Sequence, residues 1–128
     1  MLAQRARLTA ATANMAAKDS VYPDGTPYRA KQIYFAPGDP SSRTREGRQF
    51  GVHVAAVRES RAEFGYRWDP GSDFAIKSGP KAGHVRTSNV DPITEQVNAI
   101  QATRAYEANV VAAETTKSMI QQALRLLA

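Results

Sequence analysis

His53 and His84 are the side chains best suited to moving a proton or holding a metal near neutral pH. They stand far apart, neither has a second histidine within one helical turn, and the chain contains no cysteine. The donor spacing of a zinc or transition-metal site is therefore missing. His53 sits in an alternating apolar run and reads as a half-buried packing residue of a strand. The 12 Asp and Glu residues are scattered, and no spacing singles out a carboxylate dyad. No G-x-S-x-G, P-loop or G-x-G-x-x-G occurs. With no nucleophile–base set, ligand cluster or cofactor motif, the sequence argues against an enzyme. It predicts no catalytic residue, cofactor, metal or small-molecule ligand.

What remains is charge and hydrogen bonding. The net charge is +5 over 128 residues, spread as +2 over residues 1–17, +4 over 18–90 and −1 over 91–128. The basic residues are interleaved with acids and do not form one stripe, so a solvated surface is favoured over a nucleic-acid footprint. Arg43, Arg45 and Arg48 lie in a segment rich in Gly, Pro and Ser. They could meet an acidic surface, but a solvated, mobile loop over residues 36–49 is the plainer reading.

The element that must position any functional surface is the last third, residues 91–128. Asp91 is a good N-cap, because its carboxylate can accept from the free N–H groups of a first turn. Pro92 follows at the first helical position, where a missing N–H is harmless. No Gly or Pro occurs after it. Residues 92–127 predict a helix about 54 Å long. Apolar or small residues recur in steps of three and four at Ile93, Val97, Ile100, Thr103, Tyr106, Val110, Ala113, Thr116, Ile120, Leu124 and Leu127. Such a stripe predicts one apolar face, and a face this long requires a second helix beside it.

The partner is expected at the other end. Residues 1–17 also lack Gly and Pro, and Met1, Leu8 and Met15 repeat by sevens with Gln4 and Ala11 between them. This is a weak heptad seam among many alanines, which favour helix and permit close approach. It is too short to cover the whole C-terminal stripe, so other subunits are expected to supply the rest.

The middle, residues 18–90, holds all eight glycines and every proline except Pro92. Tyr22-Pro23-Asp24-Gly25-Thr26-Pro27 predicts a turn. Strands are expected at residues 28–35, 50–59 and 63–68, with a short one at 84–86. The fold class is therefore α+β, with long N- and C-terminal helices pairing as a coiled coil and a small antiparallel β unit between them. The domain reading is 1–17, 18–90 and 91–128. No stretch approaches the ~20 apolar residues of a membrane span. The basic N-terminus lacks the apolar run of a cleaved secretory signal.

Several local patterns together resemble a known family. They are Ser88-Asn89-Val90-Asp91, Glu95, Val97-Asn98, the run Ala102-Thr103-Arg104-Ala105-Tyr106-Glu107-Ala108-Asn109-Val110, and Lys117-Ser118-Met119. These resemble the C-terminal region of the bacterial flagellar rod and hook proteins. Asp19-Ser20, Pro23-Asp24-Gly25, Pro27-Tyr28-Arg29-Ala30-Lys31-Gln32 and Asp69-Pro70-Gly71 resemble the proximal rod class within that family. Ala17 and His84 depart from its usual residues, and the resemblance places further helix before Met1.

The resemblance implies a structural subunit of the basal-body rod, serving flagellum-dependent motility. It implies copies of itself and other rod subunits as partners. It also implies passage through the flagellar type III export apparatus, without a cleaved signal, to the periplasm-spanning rod. The assembly seam is expected at Leu8, Met15, Ile93, Val97, Ile100, Tyr106, Val110, Ile120 and Leu124. The family signature is expected at Asn14, Tyr28, Arg29, Lys31, Asn89, Asp91, Arg104, Tyr106 and Asn109. Asn98, Gln101, Asn109, Gln121 and Gln122 could supply hydrogen bonds between subunits. Two other classes fit parts of the sequence: a cytoplasmic helical adaptor would explain the seam, and a small nucleic-acid binder would explain the charge.

Overall fold

The computed structural model describes residues 1–45, 48 and 51–127. In chain order the elements are α1 (Leu2–Ala17), β1 (Lys31–Pro37), β2 (Val52–Glu59), β3 (Gly65–Trp68), β4 (His84–Thr87) and α2 (Pro92–Leu127).

Helix α2 begins and ends where the local signals put it. Asp91 Oδ1 accepts the Ile93 N–H at 3.1 Å, and Asp91 Oδ2 accepts the Thr94 hydroxyl at 2.5 Å. The cap thus satisfies a free donor of the first turn and ties down a side chain beside it. These bonds, that from Thr94 foremost, hold the Asp91 carboxyl below its ordinary value. Helix α1 has 16 residues against 36 in α2. At 1.5 Å per residue it is about 24 Å long and spans less than half of its neighbour.

Between the helices lie two separate antiparallel hairpins, β1–β2 and β3–β4. Each has only two strands, too few for independent stability. The first packs against α1. Its register runs from Lys31 opposite Glu59 to Pro37 opposite Val52, with a shift between Tyr34 and Phe35. Tyr34 faces Ala56 while Phe35 faces Val54, so Ala55 is the extra residue of a bulge. The bulge resets the alternation, and Ile33 and Ala36, three apart, are the half-covered positions of β1. The strict period of two expected from the sequence does not survive it. Among residues 36–50, residues 46, 47, 49 and 50 lie outside the described residues. With them go part of the expected loop and the expected first residue of the second strand.

The second hairpin closes over a glycine. Gly83 has φ +78°, and a Cβ there would stand 2.6 Å from the Trp68 ring. Only glycine lets the indole lie on the backbone at this point. His84 meets Trp68 edge-on, with ring centroids 5.0 Å apart.

The core is small and made of small residues. Ala3, Ala11, Asn14, Tyr28, Ala30, Ser60, Val85 and Ala102 are buried. Most of them lie where α1 crosses the start of α2 and the segment leading into β1. From Val111 to Leu127 every described residue of α2 is exposed.

Candidate functional site

Two buried or half-buried asparagines hold the crossing together. Asn14 lies in the last turn of α1, in a run of alanines that brings the helix close to its neighbours. It has no exposed surface. Its Oδ1 accepts the Lys31 N–H at 2.8 Å and the Tyr28 hydroxyl at 3.0 Å, while its Nδ2 donates to the Lys31 carbonyl at 2.9 Å. The side-chain amide therefore pairs with the Lys31 backbone much as a neighbouring strand would. The Asn14 amide also pulls down the pKa of the half-buried Glu95 carboxyl on α2.

Asn89 does the same work from the other side. Its Oδ1 accepts the Ala30 N–H at 2.8 Å, and its Nδ2 donates to the carbonyls of Ala62 at 3.1 Å and Ser60 at 3.4 Å. The Ala30 carbonyl takes the Ser60 N–H at 2.7 Å. Arg29 donates to the same two carbonyls at 3.0 and 3.3 Å, and its guanidinium lies 4.1 Å from the centre of the Phe64 ring. The segment 28–31 is thus pinned by α1, by the end of β2 and by the residues just before α2. Burial raises the Tyr28 hydroxyl above its ordinary value. Burial likewise raises the Glu95 carboxyl, with the Asn14 amide and the charge of Arg7 pulling the other way.

Six of the nine signature residues, Asn14, Tyr28, Arg29, Lys31, Asn89 and Asp91, are brought to this node or to the cap next to it. Arg104, Tyr106 and Asn109 are not; they lie farther along α2 and are exposed. Sequence reasoning missed that Glu95, Ser60 and Arg7 belong to the node's surroundings. The one available signal was Asn14 itself, a poor helix former placed inside an alanine helix.

The helix pair meets through small and polar side chains. Arg7 donates to Asn98 at 2.8 Å and to Gln101 at 3.2 Å, and Ala102 is completely buried. Helical spacing puts Glu95, Asn98, Ala99, Ala102 and Ala105 on the side of α2 that faces α1. The expected stripe does not keep to this side. Its ten steps from Ile93 to Leu127 cover 34 residues, a mean of 3.4 against 3.6 per turn, so it drifts by roughly 20° per step. Ile93, Val97 and Ile100 consequently lie away from α1, 74%, 47% and 47% exposed. Farther on, Tyr106, Ile120 and Leu124 come round to the Ala102 side and are also exposed. Val110 is half-buried, as are Leu8 and Met15.

Among the described residues no group of three or more His, Cys, Asp and Glu could hold a metal. No described helix is long and apolar enough to cross a membrane. A concavity of about 570 Å³ lies between α1, β1 and the first turns of α2. A surface of paired helices with a long bare apolar extension is suited to bonding with other chains.

That surface defines a class. Residues 81–126 match the family described as flagellar basal body rod FlgEFG protein C-terminal. Over nearly the whole chain the similarity is narrower. The chain is 40% identical to the flagellar basal-body rod protein FlgC of Salmonella typhimurium, over 98% of this chain and 89% of that one. It is 35% identical to FlgC of Borreliella burgdorferi, over 99% and 90%, and 31% identical to FlgC of Bacillus subtilis, over 98% and 90%. The chain belongs to the FlgC family of flagellar basal-body rod proteins. It is a structural subunit of the rod and not an enzyme, and the adaptor and nucleic-acid readings are not favoured.

Proposed function

We propose that the chain builds the rod through its terminal helices. In this reading α1 and α2 continue as a coiled-coil-like layer whose open faces are filled by copies of this chain and by other rod subunits. The single observation that carries it is the bare half of α2, where Ile120, Leu124 and Leu127 are 56%, 60% and 85% exposed. Apolar surface of this extent on a helix marks a contact with another chain. The expected seam is then two surfaces: Ile93, Val97 and Ile100 on one side, and Tyr106, Val110, Ile120 and Leu124 on the other. Leu8 and Met15 are the part of the seam that α1 contributes. Different patches on one subunit favour head-to-tail contacts, which generate filaments instead of closed dimers. Export through the flagellar type III apparatus without a cleaved signal, and a place in the periplasm-spanning rod, complete the proposal. The fold suits such passage because a single chain buries few large side chains and is held by a small set of polar contacts.

Motility tests this reading. Val110→Asp puts a carboxylate on the half-buried side of α2, where an unpaired charge costs several kcal/mol or must stay protonated. The variant should be made and exported but absent from basal bodies, and its cells should not swim. Cells with Glu114→Gln, on the exposed helix surface, should swim. Normal swimming with Val110→Asp would remove the helix seam as the assembly surface.

A further inference from the structure

The hairpin β1–β2 carries a polar hollow lined by Gln32, Tyr34, Arg58, Glu59 and Arg61. Gln32 stands opposite Arg58 in the register, and Tyr34 is the next residue on the same face of β1. The Tyr34 hydroxyl donates to Gln32 Oε1 at 3.1 Å, so the Gln32 amide keeps its N–H groups for an outside acceptor. The Arg58 guanidinium lies 5.7 Å from the centre of the Tyr34 ring. Against an aromatic face a guanidinium keeps the N–H groups of its edge free, in the fork that fits a carboxylate.

Arg61 is presented differently. It lies between Ser60 and Ala62, whose carbonyls each take a bond from Arg29 and from Asn89. The Ser60 N–H is fixed on the Ala30 carbonyl, and the Ala62 N–H on the Ser60 hydroxyl. The backbone under Arg61 is thus fastened before any partner arrives, which lowers the ordering cost of a contact. The ion pairs among the described residues are Lys18–Asp19 and Arg67–Asp69, so both exposed arginines of the hollow are without an acid partner. Glu59 is the one acid in the lining, which leaves it at +1. At about 600 Å³ the hollow has the size that takes a group of many atoms, not one small ion. Its free groups are mostly donors, and a negatively charged acceptor satisfies them.

We propose that this hollow receives an Asp or Glu side chain of an adjacent rod subunit, with Arg58 as the fork for the carboxylate and Arg61 and Gln32 at its margin. This rests on the assembly reading above and adds to it a polar contact made by the β unit.

Carbodiimide joins an amine to a carboxylate in contact with it and leaves a guanidinium untouched. Basal bodies from cells whose chain carries Arg58→Lys are treated with it, and linked peptides are read by mass spectrometry. A link from residue 58 to an Asp or Glu of another subunit is expected, and none to another chain when the same variant is treated in isolation. Should Arg58→Lys be excluded from basal bodies, the same link is read from Arg61→Lys. Arg58→Glu should lower recovery in basal bodies about tenfold, because like charges are then opposed. Its unfolding midpoint in the isolated chain should not change, since Arg58 is exposed. Basal bodies that contain the lysine variant without such a link, or with links only to its own Glu59 or to lipid, overturn this contact and leave the rod assignment standing. Recovery of Arg58→Glu at the unaltered level overturns it too. Failure of the unaltered chain to enter basal bodies overturns the assembly reading and this contact together.

Discussion

The two halves of α2 share one backbone and one cap but are stabilised in opposite ways. Residues 92–110 are held by Ala102 against α1 and by Arg7 on Asn98 and Gln101. Residues 111–127 carry more large apolar side chains, yet all are exposed within the single chain. The lesson is that apolar content does not locate the core here. The half with small and polar side chains is the packed one, because close approach and satisfied hydrogen bonds fix it. The half rich in Leu, Ile and Met stays exposed among the described residues.

This contrast can be broken most severely at Asn14. Asn14→Ala leaves the Lys31 N–H, the Lys31 carbonyl and the Tyr28 hydroxyl without their buried partner. Each such loss costs about 1–3 kcal/mol, so a total near 3 kcal/mol or more is expected in chemical denaturation of the isolated chain. A change below 1 kcal/mol would show that the node does not hold the fold. Ala102→Leu should come next, lowering stability by about 1–3 kcal/mol, because extra methylenes have no room in the packed half. The opposite half should respond little: Leu124→Ala in the isolated chain should stay within about 0.5 kcal/mol. The same substitution should reduce incorporation into basal bodies, and it is this separation of the two readouts that sharpens the comparison.

Hydrogen exchange gives a graded form of the same test. Amides of residues 111–127 should exchange far faster than those of residues 95–105 in the isolated chain, and the difference should shrink in assembled rods. The smallest effect is expected from pH. The Asp91 carboxyl is held below its ordinary value of 3.8, chiefly by the Thr94 hydroxyl and then by the Ile93 N–H. Its contribution is therefore full above that value and lost as pH falls through the lower folded one. Glu95 works in the reverse sense. Burial raises it above 4.5, so what it adds is present below that value and lost as pH rises through the folded one. Asp91→Asn should flatten the acid limb seen at the first turn of α2, and Glu95→Gln should flatten the opposing one.

Much of α2 was legible from the sequence because its signals are local. Asp91 and Pro92 mark the start, and the lack of Gly or Pro carries the helix to Leu127. The turn at Pro23-Asp24-Gly25 was legible for the same reason: Gly25 has φ +80°, and Asp24 accepts from Thr26. The orientation of α2 was not legible, because steps of three and four look like one face until their mean is compared with the helical period. The bulge at Tyr34 and Phe35 was hidden as well, since an inserted residue is defined by its partner strand and not by its own sequence. The node was half legible. Asn14 and Asn89 stood out as signature residues by resemblance, but the amide-to-backbone pairing depends on segments far apart in the chain.

That distance sets an order of events during synthesis. The contacts that pin residues 28–31 span separations of 14, 17 and 59 residues, and Arg7 reaches across 91 and 94. A chain emerges from the ribosome N-terminus first. Asn14 can meet Lys31 early, but Ala30 must wait for Asn89, and α1 must wait for the first turns of α2. Contacts this remote close slowly, because each bears the entropy of a long loop. Until about three-quarters of the chain has been made, α1 lacks α2 and has only the first hairpin to pack on, and a helix of 16 residues is marginal in water by itself. The node is thus a late latch: the newly made chain stays pliable for most of its synthesis and becomes rigid only when the start of α2 arrives.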